Sequence, residues 1–350
     1  MFFLRVLLLA VILSPNSPMT TSFSRELKLK HGSDVDFVRF TPDGHRIISA
    51  SFYGSIVMWD AHSGSRLWQA DLDQGSKSKK SSTISHILGM AVSPDGNVVA
   101  VSYSKAYVVG ETLQAKEEHR IGLLDPKTGR ETKVLVGHGA QIGRLAFSPN
   151  GELLLSESGD STARLWNVNT GQEVLLIKLK EKGASVAFSP NGKVMAVATQ
   201  PVWGSPPQPI VGLYDVRTGQ LLREFPRRKS AVAGLAFSPD GQTLAIASGD
   251  AVGAQIDLWE LTSQDPKITF PMPRREIDSL AFSRNGRMLA TGGYGNGKGF
   301  VEVREMTANT VLRTVRFESN VTALDFSPDG KRLVVGTDKG QIVVLHLQTR

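Results

Sequence analysis

Three residue types that hydrolytic enzymes use lie close together in the sequence: His138, Ser156 and Asp160, with Trp166 shortly after them. A serine activated by a histidine, itself oriented by an aspartate, can act as the nucleophile of an acyl-transfer reaction. That chemistry also needs an oxyanion donor and a nucleophile elbow, and neither motif accompanies Ser156. We therefore expect no catalytic residue here, and the role of these side chains depends on the elements that hold them.

One short phrase recurs seven times and predicts a hairpin at each place. It is FTPDG at 40–44, VSPDG at 92–96, FSPNG at 147–151 and 188–192, FSPDG at 237–241, FSRNG at 282–286 and FSPDG at 326–330. Proline presets the first turn position, Asp or Asn bonds its own backbone, and glycine accepts a positive φ. Apolar segments flank each phrase, so we expect two buried strands to meet at each turn.

A second apolar element follows each hairpin and predicts a third strand. It is SIVMWD at 55–60, RIGLLD at 120–125, TARLWN at 162–167, IVGLYD at 210–215, QIDLWE at 255–260, FVEVRE at 300–305 and QIVVLH at 341–346. A polar turn and a fourth strand come next, and four short strands per repeat are typical of propeller blades. The sequence thus predicts an all-β fold: a seven-bladed β-propeller over residues 25–350, with four antiparallel strands per blade.

These seven repeats resemble those of the WD-repeat β-propeller family from residue 25 to residue 350. In that family a His, a Ser or Thr, an Asp and a Trp at this spacing form a buried hydrogen-bond network within one blade. The resemblance therefore implies a structural network of His138, Ser156, Asp160 and Trp166. A buried indole N–H needs a partner, and a fully satisfied network stiffens the sheet.

The other blades keep only parts of this network. Blade 1 has His31, Ser49 and Trp59, but Tyr53 stands where the Asp would be. Blade 5 has Ile246 at the serine position. These departures indicate a divergent member of the family, and they weaken any transfer of a specific family role.

The last repeat ends with its third strand and leaves the seventh blade one strand short. The unpaired segment Arg25–Lys30 lies at the other end of the chain. We predict that this N-terminal strand completes the last blade, because closing the ring removes exposed sheet edges.

The resemblance also implies two different faces. The hairpin turns lie on one face, and the remaining loops lie on the opposite face, called the top. Long insertions occur only among the top loops: 73–86, 103–120, 200–209 and 292–299. Loops that vary on a rigid scaffold are the usual place for binding. The glycine run at 292–299 predicts a flexible loop rather than a phosphate site, because no helix follows it and GK[ST] is missing.

Basic residues are concentrated in the blade-to-blade connections, which are expected on or near the rim of the same face. The predicted partner-binding residues of the top face are Lys79, Lys80, Trp203, Arg227, Arg228, Arg274, Arg275 and Tyr294. Interface hot spots favour Trp, Tyr and Arg, so Trp203 and Tyr294 would be aromatic anchors. We expect an electropositive face that binds an acidic protein or peptide. The alternative is that these lysine-rich loops are only solvated, since Glu111, Glu117 and Glu118 dilute the positive charge.

Composition narrows the classes of function. The formal net charge is +7 and the pI is about 9.5, which favours acidic partners. The absence of cysteine excludes disulfides, thiolate metal sites and cysteine nucleophiles. No HExxH motif or paired histidines occur, so we expect no metal and no cofactor. The aromatic residues that nucleic-acid surfaces interleave with basic ones are missing, so no nucleic-acid partner is expected.

Residues 1–22 form a hydrophobic leader. The stretch from Phe2 to Leu13 is apolar apart from Arg5, and it is too short to span a membrane. A basic start followed by such a stretch predicts a signal peptide, so we expect export to the periplasm or the extracellular space. The alternative is translation from Met19, which would leave the protein in the cytoplasm. N-terminal sequencing of the native protein distinguishes the two.

The repeats favour a non-catalytic, monomeric scaffold that binds a protein or peptide through its top-face loops. One alternative is a quinone-dependent dehydrogenase, because DAHSGSRLW at 60–68 resembles the turn-plus-Trp motif of those propeller enzymes. A Trp at that position recurs in no other blade, however. The other alternative is a sensory or binding domain of a larger system.

Overall fold

In the computed structural model of the chain, the described residues are 21–72, 83–107, 116–200, 210–226, 230–250 and 253–349. Within these ranges every regular element is a β-strand, and the strands form seven antiparallel sheets of four. The predicted all-β, seven-bladed propeller is therefore confirmed.

Blades 1 to 3 follow the chain in order. Blade 1 consists of β2 (Phe37–Phe40), β3 (Arg46–Ala50), β4 (Ser55–Asp60) and β5 (Arg66–Asp71). Blade 2 consists of β6 (Thr83–Val92), β7 (Val99–Tyr107), β8 (Lys116–Leu124) and β9 (Glu131–Val136). Blade 3 consists of β10 (Ile142–Phe147), β11 (Leu153–Ser158), β12 (Thr162–Asn167) and β13 (Glu173–Lys178).

Blades 4 to 6 continue the same pattern. Blade 4 consists of β14 (Lys182–Phe188), β15 (Val194–Gln200), β16 (Val211–Asp215) and β17 (Leu221–Glu224). Blade 5 consists of β18 (Ala231–Phe237), β19 (Thr243–Asp250), β20 (Gly253–Glu260) and β21 (Ile268–Pro273). Blade 6 consists of β22 (Arg275–Phe282), β23 (Met288–Gly295), β24 (Lys298–Glu305) and β25 (Thr310–Phe317).

Blade 7 draws strands from both ends of the described chain. It consists of β26 (Val321–Phe326), β27 (Arg332–Thr337), β28 (Gln341–Thr349) and β1 (Thr21–Lys30). In this sheet β1 pairs antiparallel with β28, from Thr21 opposite Thr349 to Lys30 opposite Gln341. That the ring needs β1 in order to close and fold stays a prediction.

The hairpin phrase forms the same hydrogen-bonded turn in each blade, and blade 3 shows its chemistry. Ser148 accepts a hydrogen bond from the backbone N–H of Gly151 at 2.8 Å, and its hydroxyl donates to Asn150 at 2.7 Å. Gly151 has a φ of 75°, a conformation that costs glycine little. The phrase therefore recurs because its Ser, Asn or Asp, and Gly each satisfy part of one turn.

A β-bulge interrupts the inner strand of blades 2 to 7. The register slips between Ile87 and Gly89 in β6, between Ile142 and Leu145 in β10, and at matching places in the other four strands. A bulge leaves one residue unpaired and re-aims its side chain. The sequence did not reveal this feature, because a bulge breaks the simple alternation of a strand.

The hydrophobic core lies between neighbouring blades. One cluster packs Ala196 and Val211 of blade 4 against Leu244 and Trp259 of blade 5, all less than 5% exposed. Each sheet buries one face on the previous blade and one on the next, as in other stacked sheets. This packing makes a stiff ring that holds the top-face residues in place.

Two segments predicted as loops are wholly or partly strand. The prediction of a flexible loop at 292–299 is wrong: β23 and β24 pair from Met288 to Glu305 and turn at Asn296 and Gly297. Both turn residues have positive φ, 54° and 77°. An Asn-Gly pair of this conformation suits the tight turn that matches strand twist. The insertion at 103–120 likewise extends β7 and β8, with Tyr107 opposite Lys116.

Candidate functional site

The four residues that resemble a catalytic set lie together inside blade 3. Ser156 Oγ is 2.8 Å from His138 Nε2 and 2.9 Å from Trp166 Nε1. His138 Nδ1 is in turn 2.9 Å from Asp160 Oδ2. The side chains thus form one continuous chain of hydrogen bonds from the third strand of the blade to the turn after the second.

Donor and acceptor chemistry fixes the protons of this chain. The indole N–H of Trp166 can only donate, so Ser156 accepts from it and donates its own hydroxyl proton to Nε2 of His138. His138 then donates from Nδ1 to Asp160, which also accepts from the Thr162 hydroxyl at 2.6 Å. Burial opposes ionisation of Asp160, but hydrogen bonds, first from Thr162, outweigh it and lower the pKa of Asp160 to about 2.

Burial separates this network from a catalytic triad. Ser156 is 0% exposed and Trp166 is 2% exposed, so a substrate carbonyl has no access to the hydroxyl. Burial also lowers the pKa of His138, which favours the neutral imidazole that the network requires. The arrangement can hold β11 and β12 to the segment that enters the blade at His138, and it has no open side for acyl transfer.

Blade 1 contains a shorter version of the network. Ser49 Oγ lies 2.8 Å from His31 Nδ1 and 2.8 Å from Trp59 Nε1. Tyr53, at the position of the missing Asp, is 66% exposed and turns away from the blade interior. Burial lowers the pKa of His31 to about 4, so this histidine is also neutral near pH 7.

The top face has a central cavity of about 810 Å³. The beginnings of all seven inner strands surround it. Its wall includes one equivalent residue from each blade, four places before the end of the inner strand: Asp36, Leu88, Gly143, Ala184, Ala233, Asp278 and Thr322. In blades 2 to 7 this position falls in the bulge, so the bulge directs it into the cavity.

Only blades 1 and 6 place a charge in that ring of seven residues. Asp36 Oδ2 accepts the backbone N–H of Phe52 at 2.6 Å. Asp278 Oδ2 accepts Nδ2 of Asn320 at 3.0 Å. Burial is the main cause that raises the pKa of both aspartates above the ordinary value.

A glutamate and an arginine from blade 3 complete the charged wall. Glu157 is 3% exposed and accepts the backbone N–H of Arg144 at 2.7 Å. Burial raises the pKa of Glu157 to about 7. The Arg144 guanidinium lies 5.6 Å from the centre of the Phe37 ring, and burial lowers its pKa although Glu157 partly opposes this.

Only three of the predicted partner-binding residues are in the described part of the chain. Lys79, Lys80, Trp203, Arg227 and Arg228 lie outside the described residues.

The other three predicted residues differ in exposure and in the contacts of their side chains. Arg274 is exposed and has a φ of 56°, between β21 and β22. Tyr294 is 40% exposed near the end of β23. Arg275 pairs with Glu302 at 2.7 Å and packs 4.8 Å from the Phe300 ring centre, so its charge is already engaged within blade 6.

Sequence reasoning missed the charged cavity wall. A signal was present: aligning the seven hairpin phrases places Asp36 and Asp278 in one column, where the other blades have uncharged residues. In blades 2 to 7 a bulge directs this column into the cavity, and the sequence does not reveal that bulge. Glu157 and Arg144 have no such signal, because their neighbours come from different blades.

Two stretches of the chain match a known repeat family. A family model described as "WD domain, G-beta repeat" matches residues 22–60 and 129–167. Each match covers a predicted repeat of a chain that folds as seven four-stranded blades. This chain is a WD-repeat propeller. A second model, described as "Eukaryotic translation initiation factor eIF2A", matches residues 223–342 of the propeller.

Several known proteins are similar to this WD-repeat propeller. A guanine nucleotide-binding protein subunit beta from Zea mays is 23% identical over 320 residues, which cover 88% of this chain and 79% of the relative. Periodic tryptophan protein 2 from Arabidopsis thaliana is 30% identical over 49% of this chain. Striatin-3 from Bos taurus is 29% identical over 48%. The matches span only 17% and 20% of the lengths of these last two relatives.

The described residues offer neither a membrane-spanning helix nor a metal site. None of the WD-repeat propeller's described segments is a helix long and apolar enough to cross a membrane. In the same segments, no group of three or more His, Asp or Glu side chains is placed to hold a metal ion.

Proposed function

We propose that this WD-repeat propeller is a non-catalytic protein-interaction scaffold that binds a partner across its top face. The observation that carries the proposal is the cavity of about 810 Å³ to which all seven blades contribute. Concave sites on a rigid scaffold are the default place for ligand binding. The name of one relative fits this role, since it is a subunit of a guanine nucleotide-binding protein.

The proposed partner meets two zones of different charge. The basic rim rests on loops outside the described residues and on Arg274, and we propose that an acidic stretch of the partner faces it. The cavity wall carries the opposite sign. Its carboxylates are Asp36, Glu117, Glu157 and Asp278, and its cations are Arg144 and Lys182. The part of the partner that enters the cavity therefore meets more acids than bases.

The apparent quinone-enzyme motif has a structural explanation in this fold. The indole N–H of Trp68 donates to the carbonyl of Pro126 in blade 2 at 2.9 Å. Its ring also occupies the space where a side chain on Gly129 would stand, 2.7 Å away. Trp68 thus ties two blades together, and this observation favours the scaffold over the dehydrogenase.

Site-specific photo-crosslinking tests which face binds the partner. A photoreactive amino acid replaces Gln141, an exposed residue at the cavity mouth, or Glu152, an exposed residue beside the opposite hairpin turn of the same blade. We expect a partner adduct in native extract from position 141 and none from position 152. Adducts from 152 alone, or from neither position, would contradict a top-face scaffold.

A further inference from the structure

We infer that the central cavity binds a basic side chain, Lys or Arg, of a protein partner, held between Asp36 and Asp278. This inference rests on the proposed top-face scaffold and adds the chemistry that the scaffold recognises. It also opposes the simplest expectation from the overall charge of +7, which favours acidic partners.

The placement of the two aspartates is specific. They stand in blades 1 and 6, on either side of blade 7, at the same ring position of the cavity wall, Asp278 in the bulge of β22 and Asp36 just before β2. The ring residue between them is the uncharged Thr322. Its hydroxyl donates to the Val35 carbonyl. Two carboxylates therefore face one sector of the cavity, on either side of the uncharged Thr322.

The hydrogen bonds of this sector leave acceptors unfilled. Asp36 and Asp278 each receive one donor, on Oδ2. Within the described part of the chain, no donor contacts Oδ1 of either aspartate. Asn320 also lines the cavity, and its buried Oδ1 has no hydrogen-bond partner among the described residues. The Oδ1 atoms of Asp36 and Asp278 keep solvent contact, so they can accept hydrogen bonds from a ligand that brings several N–H donors.

Glu157 provides an independent indication of a donor-bearing ligand. This carboxyl is 3% exposed, lines the cavity, and receives only the Arg144 N–H among described donors. A side chain at Gly143 or Gly183 would collide with it, at 2.1 and 2.3 Å, so two glycines keep its space open. Two backbone positions thus hold open the space for this carboxyl, which does not lie on a solvated surface.

The charges already present favour a cation over an anion. Arg144 lies near Asp36, Asp278 and Glu157, and it offsets part of their charge. Four carboxylates and two cations line the cavity, so acidic groups outnumber basic ones even when Glu157, whose pKa burial raises to about 7, is protonated. Charge-assisted hydrogen bonds to carboxylates are stronger than neutral ones, so an ammonium or guanidinium is the group that fits.

The apolar part of the wall matches the stem of such a side chain. Phe52 lines the cavity and stacks on His86 with ring centres 4.3 Å apart. Lys and Arg bury their methylene stems along apolar surface while the charged head reaches polar partners. A metal ion is not the expected occupant, because no described group of three ligating side chains is placed to hold one.

Binding of short capped peptides tests this inference. The probes are Gly-Gly-X-Gly-Gly peptides in which X is arginine, lysine, citrulline or norleucine, titrated into the full chain by calorimetry. We expect the arginine and lysine peptides to bind at least about tenfold tighter than their uncharged counterparts, because only they bring charge-assisted donors. Asp36→Asn and Asp278→Asn should each reduce that preference at least about fivefold, since Asn keeps the observed acceptor but loses the charge.

The matched control is Asp265→Asn, which removes an exposed carboxylate outside the cavity and should leave binding unchanged. Circular dichroism checks that each variant folds. The inference fails if citrulline binds as well as arginine, if neither cavity variant changes the preference, or if no peptide binds at millimolar concentration. Equal binding of spermidine and the arginine peptide would assign the site to small polyamines instead and overturn the inference. A partner adduct at position 141 alongside any of these results would leave the scaffold proposal standing.

Discussion

At the scale of single residues, burial decides the role of the Ser-His-Asp set. The hydroxyl of Ser156 is the centre of the blade 3 network, since it accepts from Trp166 and donates to His138. It has no solvent-exposed surface. The same three residue types in an open cleft would suggest acyl transfer, so exposure rather than residue type separates the two roles.

Replacing Ser156 with alanine should destabilise the fold without affecting any surface. Ser156→Ala leaves the Trp166 indole N–H and a His138 nitrogen buried and unpaired, which costs roughly 1–3 kcal/mol of unfolding free energy. Denaturant unfolding measures the difference. The control Ser65→Ala, in an exposed turn, should change stability by less than about 0.5 kcal/mol. Equal unfolding free energies of the two variants would show that the network does not stabilise the fold.

At the scale of elements, the inner strands show how much the sequence predicts. The hairpin phrase located all seven pairs of first and second strands, because turn chemistry is local. The bulges were not predictable, since they arise from the fit of each strand into the ring. Consequently the buried network of blade 3 could be anticipated residue by residue, whereas the cavity wall of Asp36, Asp278, Glu157 and Arg144 could not.

The interface between blades 7 and 1 contains two charged residues at an inner-strand position that is uncharged in the other five blades. Arg39 in β2 donates to the carbonyl of Leu324 at 3.3 Å, and Asp325 in β26 accepts the N–H of Phe40 at 2.9 Å. Burial raises the pKa of Asp325 to about 6, and the charge of Arg39 opposes this shift. The equivalent position is alanine in the other five blades: Ala91, Ala146, Ala187, Ala236 and Ala281.

A double-mutant cycle should show that this pair is coupled. Asp325→Ala removes the acceptor of the Phe40 N–H and leaves Arg39 uncompensated, so we expect a loss of about 2–4 kcal/mol. The double variant Arg39→Ala/Asp325→Ala restores the Ala–Ala arrangement of the other blades and should lose less than the sum of the singles. Unfolding free energies from denaturant curves give the coupling. Additive losses would mean that the two charges act independently.

At the scale of the whole molecule, the first and last described strands lie in one sheet, blade 7. Backbone pairing of β1 with β28 spans nine residue pairs, from Thr21 with Thr349 to Lys30 with Gln341. Beyond this pairing, backbone hydrogen bonds link Val35 to Thr337 and His31 to Gly340. An open ring would expose the edge of β28 and the core beneath it, which favours aggregation.

Deleting residues 20–31 should therefore abolish soluble folding. The deletion removes β1 and His31, the donor or acceptor next to Ser49. Size-exclusion chromatography after expression gives the result, and a chain lacking only residues 1–18 is the matched control, expected to remain soluble. A stable, folded monomer of the 20–31 deletion would show that the ring closes without its N-terminal strand.

Binding at the top face is the central claim, and paired crosslinking at positions 141 and 152 tests it most directly. The two positions share blade 3 and differ in the face to which they belong, so fold and expression are matched. We expect a partner adduct at position 141 that excess Gly-Gly-Arg-Gly-Gly peptide suppresses, and no adduct at position 152. An adduct confined to position 152, or one at 141 that the peptide leaves unchanged, would contradict binding of a basic side chain in the central cavity.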